Sequence, residues 1–81
     1  MNDKPINLNT ITGQIFSKAL DLLDQNPEGI RWKELNEAIH ELYPEFHPKT
    51  INGCIWKLAK KFPDRVYKPS KGVFRLIKYR V

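Results

Sequence analysis

The residues of this chain with the clearest chemical potential are its cations, and they are concentrated in its second half. Residues 47–81 contain ten lysines and arginines against one acidic residue, Asp64, whereas residues 1–46 contain four basic and eight acidic residues. The net charge of +5 is therefore distributed as −4 in the first half and +9 in the second. A surface with one sign of charge favours a polyanion such as nucleic acid, because lysines that neutralise phosphates release counterions.

Helical periodicity predicts that several of these cations share one face of a third helix, spanning residues 48–62. An advance of about 100° per residue brings Ile51, Ile55, Leu58 and Phe62 together on a buried face. The opposite face carries Lys49, Gly53, Trp56 and Lys60, with Asn52 and Lys57 at its edges. The lysines can neutralise phosphates, and Asn52 suits either adenine N6/N7 or a phosphate oxygen. Thr50 either caps the helix or contacts a phosphate.

A second group of candidate DNA-binding residues surrounds a predicted hairpin turn. In "KPSKG", Pro69, Ser70 and Gly72 stand where a turn between two strands favours them. Lys68, Ser70, Lys71 and Arg75 lie on or beside this turn. We expect them to contact the DNA backbone, and Arg75 either enters a minor groove or pairs with a phosphate.

Gly53 and Trp56 are unusual within a basic helix. A glycine inside a helix costs about 1 kcal/mol relative to alanine, so a compensating reason is expected. Either DNA approaches the helix closely at Gly53, or the helix packs closely there against the hairpin or the second helix. Trp56 either contacts a sugar or base of the DNA, or packs under the hairpin strands.

The other reactive side chains do not form a catalytic or metal-binding pattern. Cys54 is expected at the edge of the buried face, where a cysteine is usually inert. His40 and His47 are not spaced with Cys54 as metal ligands are, and the sequence has no phosphate-cradling glycine loop. We therefore expect neither an enzyme nor a cofactor.

The elements that would position the basic residues are three helices and a C-terminal hairpin. The first helix is predicted to begin after Thr12 as N-cap, with Ile11 and Phe16 forming a hydrophobic staple. The second runs from about Trp32 to Tyr43, after a possible short strand near Ile30. "YPEFHP" is predicted to be a stiff turn in which Phe46 packs into the core. Pro63 is predicted to end the third helix. The hairpin covers residues 66–79, so the predicted class is α+β, mainly α.

This order resembles a winged helix-turn-helix. The segments "PEGIRWKEL", "YPEFHPKTINGCIW" and "FPDRVYKPSKGVFRL" resemble winged-helix domains found beside bacterial restriction endonucleases and, more distantly, HARE-HTH domains. The resemblance implies double-stranded DNA binding by helix 48–62 and wing 66–79, within the DNA-targeting module of a restriction or defence protein. It also implies that the domain senses modified bases and works with a nuclease domain. That nuclease domain would lie in the same longer chain or in a partner protein.

Two other functions stay open at this point. The acidic face of the second helix, formed by Glu34, Glu37 and Glu41, could instead bind a protein partner, or the chain could be a small stand-alone transcriptional regulator. We expect residues 1–9 to be a flexible arm and residues 10–81 to form the domain, which the end at Val81 suggests is a module of a longer protein. One cysteine, a polar N-terminus and the lack of a long apolar run fit a cytoplasmic protein without a membrane partner. The resemblance implies that this protein is bacterial.

Overall fold

The computed structural model describes residues 8–80, which form four helices and a three-stranded antiparallel sheet. The elements are α1 (Ile11–Asp24), β1 (Ile30–Arg31), α2 (Trp32–Leu42), α3 (Pro48–Trp56), α4 (Leu58–Lys61), β2 (Val66–Ser70), β3 (Val73–Leu76) and a 3-10 turn (Ile77–Tyr79). The strand order is β1-β3-β2. The predicted class, α+β and mainly helical, is confirmed, and the arrangement is compatible with a winged helix.

The core lies between the helices and one face of the sheet. Helices α1, α2 and α3 contribute fully buried aliphatic residues, and β3 contributes Phe74 at 0% exposure. On α3 and α4 the predicted buried face is confirmed, because Ile51, Ile55 and Leu58 are each 0% exposed. Phe46 is buried as expected and stacks on Tyr43, with ring centroids 4.8 Å apart.

The predicted third helix is divided in two, which corrects the single helix over residues 48–62. Helix α3 ends at Trp56 and α4 begins at Leu58. Between them the Lys57 N–H is shared by the carbonyl oxygens of Gly53, at 3.3 Å, and Cys54, at 3.1 Å. This tightening toward i→i−3 bonds interrupts the helix without exposing Leu58. Helix α4 ends at Lys61, because the residue before Pro63 is biased away from helical backbone angles.

The start of α1 also differs from the prediction. The N-cap is Thr10, whose Oγ1 accepts a hydrogen bond of 2.9 Å from the Gly13 N–H, and Thr12 lies inside the helix. Ile11 is 49% exposed, so it does not form the predicted staple with Phe16. Of the predicted flexible arm, residues 1–7 lie outside the described residues, as does Val81. Leu8 is described, and its carbonyl accepts a bond from the Gln14 side chain.

The sheet confirms the short strand near Ile30 and shortens the predicted hairpin. Ile30 pairs with Phe74 and Arg31 with Val73, which attaches β1 to the hairpin. Gly29 has a φ of +99°, and a Cβ on it would lie 2.8 Å from the Phe74 carbonyl oxygen, so glycine is required there. Strand β3 ends at Leu76 and does not continue to Tyr79, because residues 77–79 form a 3-10 turn.

Candidate nucleic-acid interface

Trp56 joins helix α3 to the hairpin. Its ring centroid lies 5.4 Å from that of Trp32 and 6.0 Å from that of Phe74. The Lys68 ammonium, on β2, lies 5.6 Å from the centre of the same ring. Trp56 nevertheless stays 41% exposed. Packing against the sheet therefore covers part of the ring, and the remainder is available to a partner.

Five residues make a continuous surface that we call the α3–wing face: Lys49, Gly53, Trp56, Lys57 and Lys68. Helical spacing aligns Lys49, Gly53 and Trp56 on α3, and Lys57 is the C-cap that follows them. The Lys68–Trp56 contact adds the hairpin. Lys49, Lys57 and Lys68 are exposed. In the described range, residues 8–80, no lysine of this face forms an ion pair. Their charge is thus available to an external anion.

Gly53 lies in the middle of this surface with open space above it. Apart from the backbone of its own helix and its two chain neighbours, no heavy atom of residues 8–80 would lie within 4 Å of a Cβ added at Gly53. Close packing against the hairpin or α2, one of the two expected reasons for a glycine, is therefore absent. The helix carries a cost of about 1 kcal/mol relative to alanine that no contact among the described residues offsets.

Asn52 adjoins Gly53 and is half-buried. Its Oδ1 is buried without a hydrogen-bond partner among the described residues. A buried acceptor without a partner costs about 1–3 kcal/mol. Because this oxygen is buried, it cannot accept a hydrogen bond from adenine N6. The bidentate adenine contact would therefore require the side chain to rotate.

The N-terminus of α3 is capped by His47, which corrects the alternative that Thr50 caps it. The His47 Nδ1 accepts a hydrogen bond of 3.1 Å from the Lys49 N–H. Pro48 occupies the first turn, where its fixed φ suits the start of a helix. Thr50 is exposed in that turn, which leaves its hydroxyl accessible to a phosphate.

The hairpin tip is fixed to the start of α2. The Gly72 carbonyl accepts a 2.7 Å bond from the Trp32 N–H. Gly72 has a φ of +77°, and a Cβ there would lie 3.1 Å from Trp32 Cδ1. Ser70 and Lys71 are exposed on this anchored tip, as is Lys60 on α4. Trp32 therefore supports both the hairpin tip and Trp56.

The Arg75 side chain forms hydrogen bonds within the protein and does not lie at the hairpin tip. Its guanidinium donates to the Pro27 carbonyl at 2.6 Å, to the Tyr67 hydroxyl at 3.1 Å and to the Tyr79 carbonyl at 2.5 Å. These bonds connect the α1–β1 loop, β2 and the C-terminal 3-10 turn. These bonds use three of the five guanidinium N–H groups. The predicted groove or phosphate contact by Arg75 would have to use the remaining two or replace one of the internal bonds.

The same end of the molecule contains a charged pair. Lys78 Nζ lies 2.7 Å from Asp24 Oδ1, and the Tyr79 hydroxyl donates to the same oxygen at 2.7 Å. The bond from the Lys78 ammonium, followed by that from Tyr79, lowers the pKa of the Asp24 carboxyl. The bond to Asp24 raises the pKa of both Lys78 and Tyr79. We call this group the Arg75 cluster; it consists of Asp24, Pro27, Tyr67, Arg75, Lys78 and Tyr79.

Sequence reasoning missed the Arg75 cluster because its partners are far apart along the chain. Tyr79 and Asp24 are separated by 55 residues, and Arg75 and Pro27 by 48. No local spacing signals such contacts, although Arg75 opposite Tyr67 on the paired strands of the hairpin is a weak indication. The cluster gives Arg75 and Lys78 partners within the protein, which the lysines of the α3–wing face do not have as ion pairs within residues 8–80.

Cys54 lies on the buried side of α3, as its predicted position at the edge of that face indicates. Cys54 is 7% exposed, and burial raises the pKa of its thiol. Within residues 8–80, no three His, Cys, Asp or Glu side chains are grouped so as to hold a metal ion. None of the helices in the described part of the chain is both long and apolar enough to cross a bilayer.

Comparisons of the chain with models of protein families, with curated proteins and with solved structures each gave no significant match.

Proposed function

We propose that this domain is a winged helix that binds double-stranded DNA through the α3–wing face. The observation that carries the proposal is the Lys68 ammonium placed over the exposed Trp56 ring. This contact makes the outer side of α3 and the hairpin one basic and aromatic surface. In winged helix-turn-helix proteins a helix enters the major groove while the hairpin contacts the adjacent backbone.

The charge of the exposed lysines fits a polyanionic ligand. Lys49, Lys57, Lys60, Lys68 and Lys71 are exposed, and none has an ion pair within residues 8–80. Thr50, Ser70 and Asn52 supply polar groups beside them. If all five lysines contact phosphates, the logarithm of the binding constant should fall with the logarithm of salt concentration with a slope of about −4 to −5.

Fluorescence anisotropy of a labelled duplex, measured at about 50 and about 200 mM salt, tests this proposal. We expect binding at the lower salt concentration and a steep loss at the higher one. A neutral polymer of similar size is the control for nonspecific adhesion. Absence of duplex binding at the lower concentration would contradict the proposal.

The resemblance to restriction-associated domains extends the proposal to a DNA-targeting module that works with a nuclease and senses modified bases. Repeating the titration with matched methylated and unmethylated duplexes tests the second part. Equal affinity for the two duplexes would remove sensing of that modification and leave general duplex binding intact.

A further inference from the structure

The open space above Gly53 is not filled by any of the described residues, although it lies at the centre of the α3–wing face. Lys49 is one turn before Gly53, and Trp56 and Lys57 are one turn after it, so the four residues share a side of the helix. Outside the helix's own backbone and the two neighbouring residues, no described heavy atom lies within 4 Å of the position that a Cβ would take. The helix backbone is therefore accessible here between two lysines and a partly exposed indole.

We propose that the sugar–phosphate backbone of one DNA strand approaches α3 most closely at Gly53. This inference rests on the proposed duplex binding. Charge complementarity selects the occupant: Lys49 and Lys57 flank the space with exposed ammonium groups, and Asp64 is the only acidic residue of the chain after Glu45. The exposed part of Trp56 offers an apolar surface for a deoxyribose, while the lysines neutralise phosphates on either side.

Replacing Gly53 separates the folding role of this position from its binding role. In the free protein Gly53→Ala adds a methyl group to open space and improves helix propensity, so the melting temperature should rise by about 4–8 °C. In the complex the same methyl group would occupy the space of the DNA strand. Duplex affinity should then fall about tenfold, and Gly53→Leu should weaken it further.

The matched control is Ser17→Ala on α1, which also improves helix propensity without changing charge. It should leave duplex affinity unchanged. If the wild-type protein binds no duplex, the proposed function fails. If the wild type binds and Gly53→Ala and Gly53→Leu bind equally well, the inference at Gly53 fails while the proposed function stands.

The kind of DNA contact is tested with unrelated duplex sequences. Approach by a sugar–phosphate backbone predicts the same fold-loss for Gly53→Ala on every sequence, because backbone contacts carry no sequence information. A loss confined to one sequence would place a base edge at Gly53 and overturn the backbone assignment.

Discussion

The α3–wing face and the Arg75 cluster belong to the same basic half of the chain, but their cations have different partners. In the Arg75 cluster, the guanidinium makes three hydrogen bonds and Lys78 pairs with Asp24. In the α3–wing face, Lys49 and Lys57 are exposed and form no ion pair within residues 8–80. The Lys68 ammonium lies over the indole ring of Trp56. The first group stabilises the end of the fold, whereas the second is available for binding. Net charge alone does not distinguish them.

The difference predicts that variants of the two regions separate stability from affinity. Arg75→Met should have the largest effect on folding, lowering the free energy of unfolding by about 2 kcal/mol, because three oxygen acceptors lose a charged donor. Urea denaturation measures the change. Arg75→Lys is the control and should recover little, since an ammonium cannot reproduce the planar fork. Wild-type stability combined with weakened DNA binding would contradict the internal role of Arg75.

Substitution of Trp56 should change both the stability of the fold and the affinity for DNA. Trp56→Ala removes the ring contacts with Trp32 and Phe74, so the free energy of unfolding should fall by about 1–2 kcal/mol. Duplex affinity should also fall about tenfold, because the exposed aromatic surface is lost. Trp56→Phe should retain much of both properties. Unchanged affinity of the folded Trp56→Ala protein would restrict Trp56 to packing.

Asn52→Ala should give a smaller change in the opposite direction. It removes a buried oxygen that has no partner among the described residues and improves helix propensity. The free energy of unfolding should rise by about 1 kcal/mol, measured by urea denaturation. Destabilisation by Asn52→Ala would show that the amide oxygen has a favourable contact in solution.

The smallest expected effect is the pH dependence contributed by Asp24. Because its pKa is lowered in the folded protein, the Asp24 carboxylate stabilises the fold above its ordinary pKa of 3.8. That contribution should disappear as the pH falls through the lower folded-state pKa. Asp24→Asn should reduce the acid sensitivity of the melting temperature, with Asp21→Asn as a control for removing a carboxylate from α1. Identical acid profiles for wild type and Asp24→Asn would exclude this contribution.

Local patterns predicted most of the fold, because they depend on neighbouring residues. The apolar spacing from Ile51 to Leu58 identified the buried face, and Gly72 with Pro69 identified the hairpin turn. The break at Lys57 was missed, because it arises from a shared hydrogen bond and no glycine or proline marks it. The cap at Thr10 was missed because Thr10 and Thr12 are equally plausible caps by residue type.

The sequence predicted which residues make up the candidate site. It did not predict which of the basic side chains have partners within the protein. Helical spacing correctly aligned Lys49, Gly53 and Trp56 on one side of α3. The sequence could not decide whether Gly53 was packed or open, since that depends on how α2 and the hairpin sit in three dimensions. It also grouped Arg75 with the hairpin lysines, because the Pro27 and Tyr79 carbonyls that bind it are not marked by residue type.

A comparison of two double variants tests the central claim that the α3–wing face binds duplex DNA. Lys57→Ala with Lys68→Ala removes two charges from this face, and Lys18→Ala with Lys78→Ala removes two charges from elsewhere. Both doubles have the same net charge, so their duplex affinities by anisotropy at about 100 mM salt isolate position from total charge. We predict at least about a tenfold loss for the first double and less than about a threefold loss for the second. Equal losses for the two doubles would contradict a localised binding face.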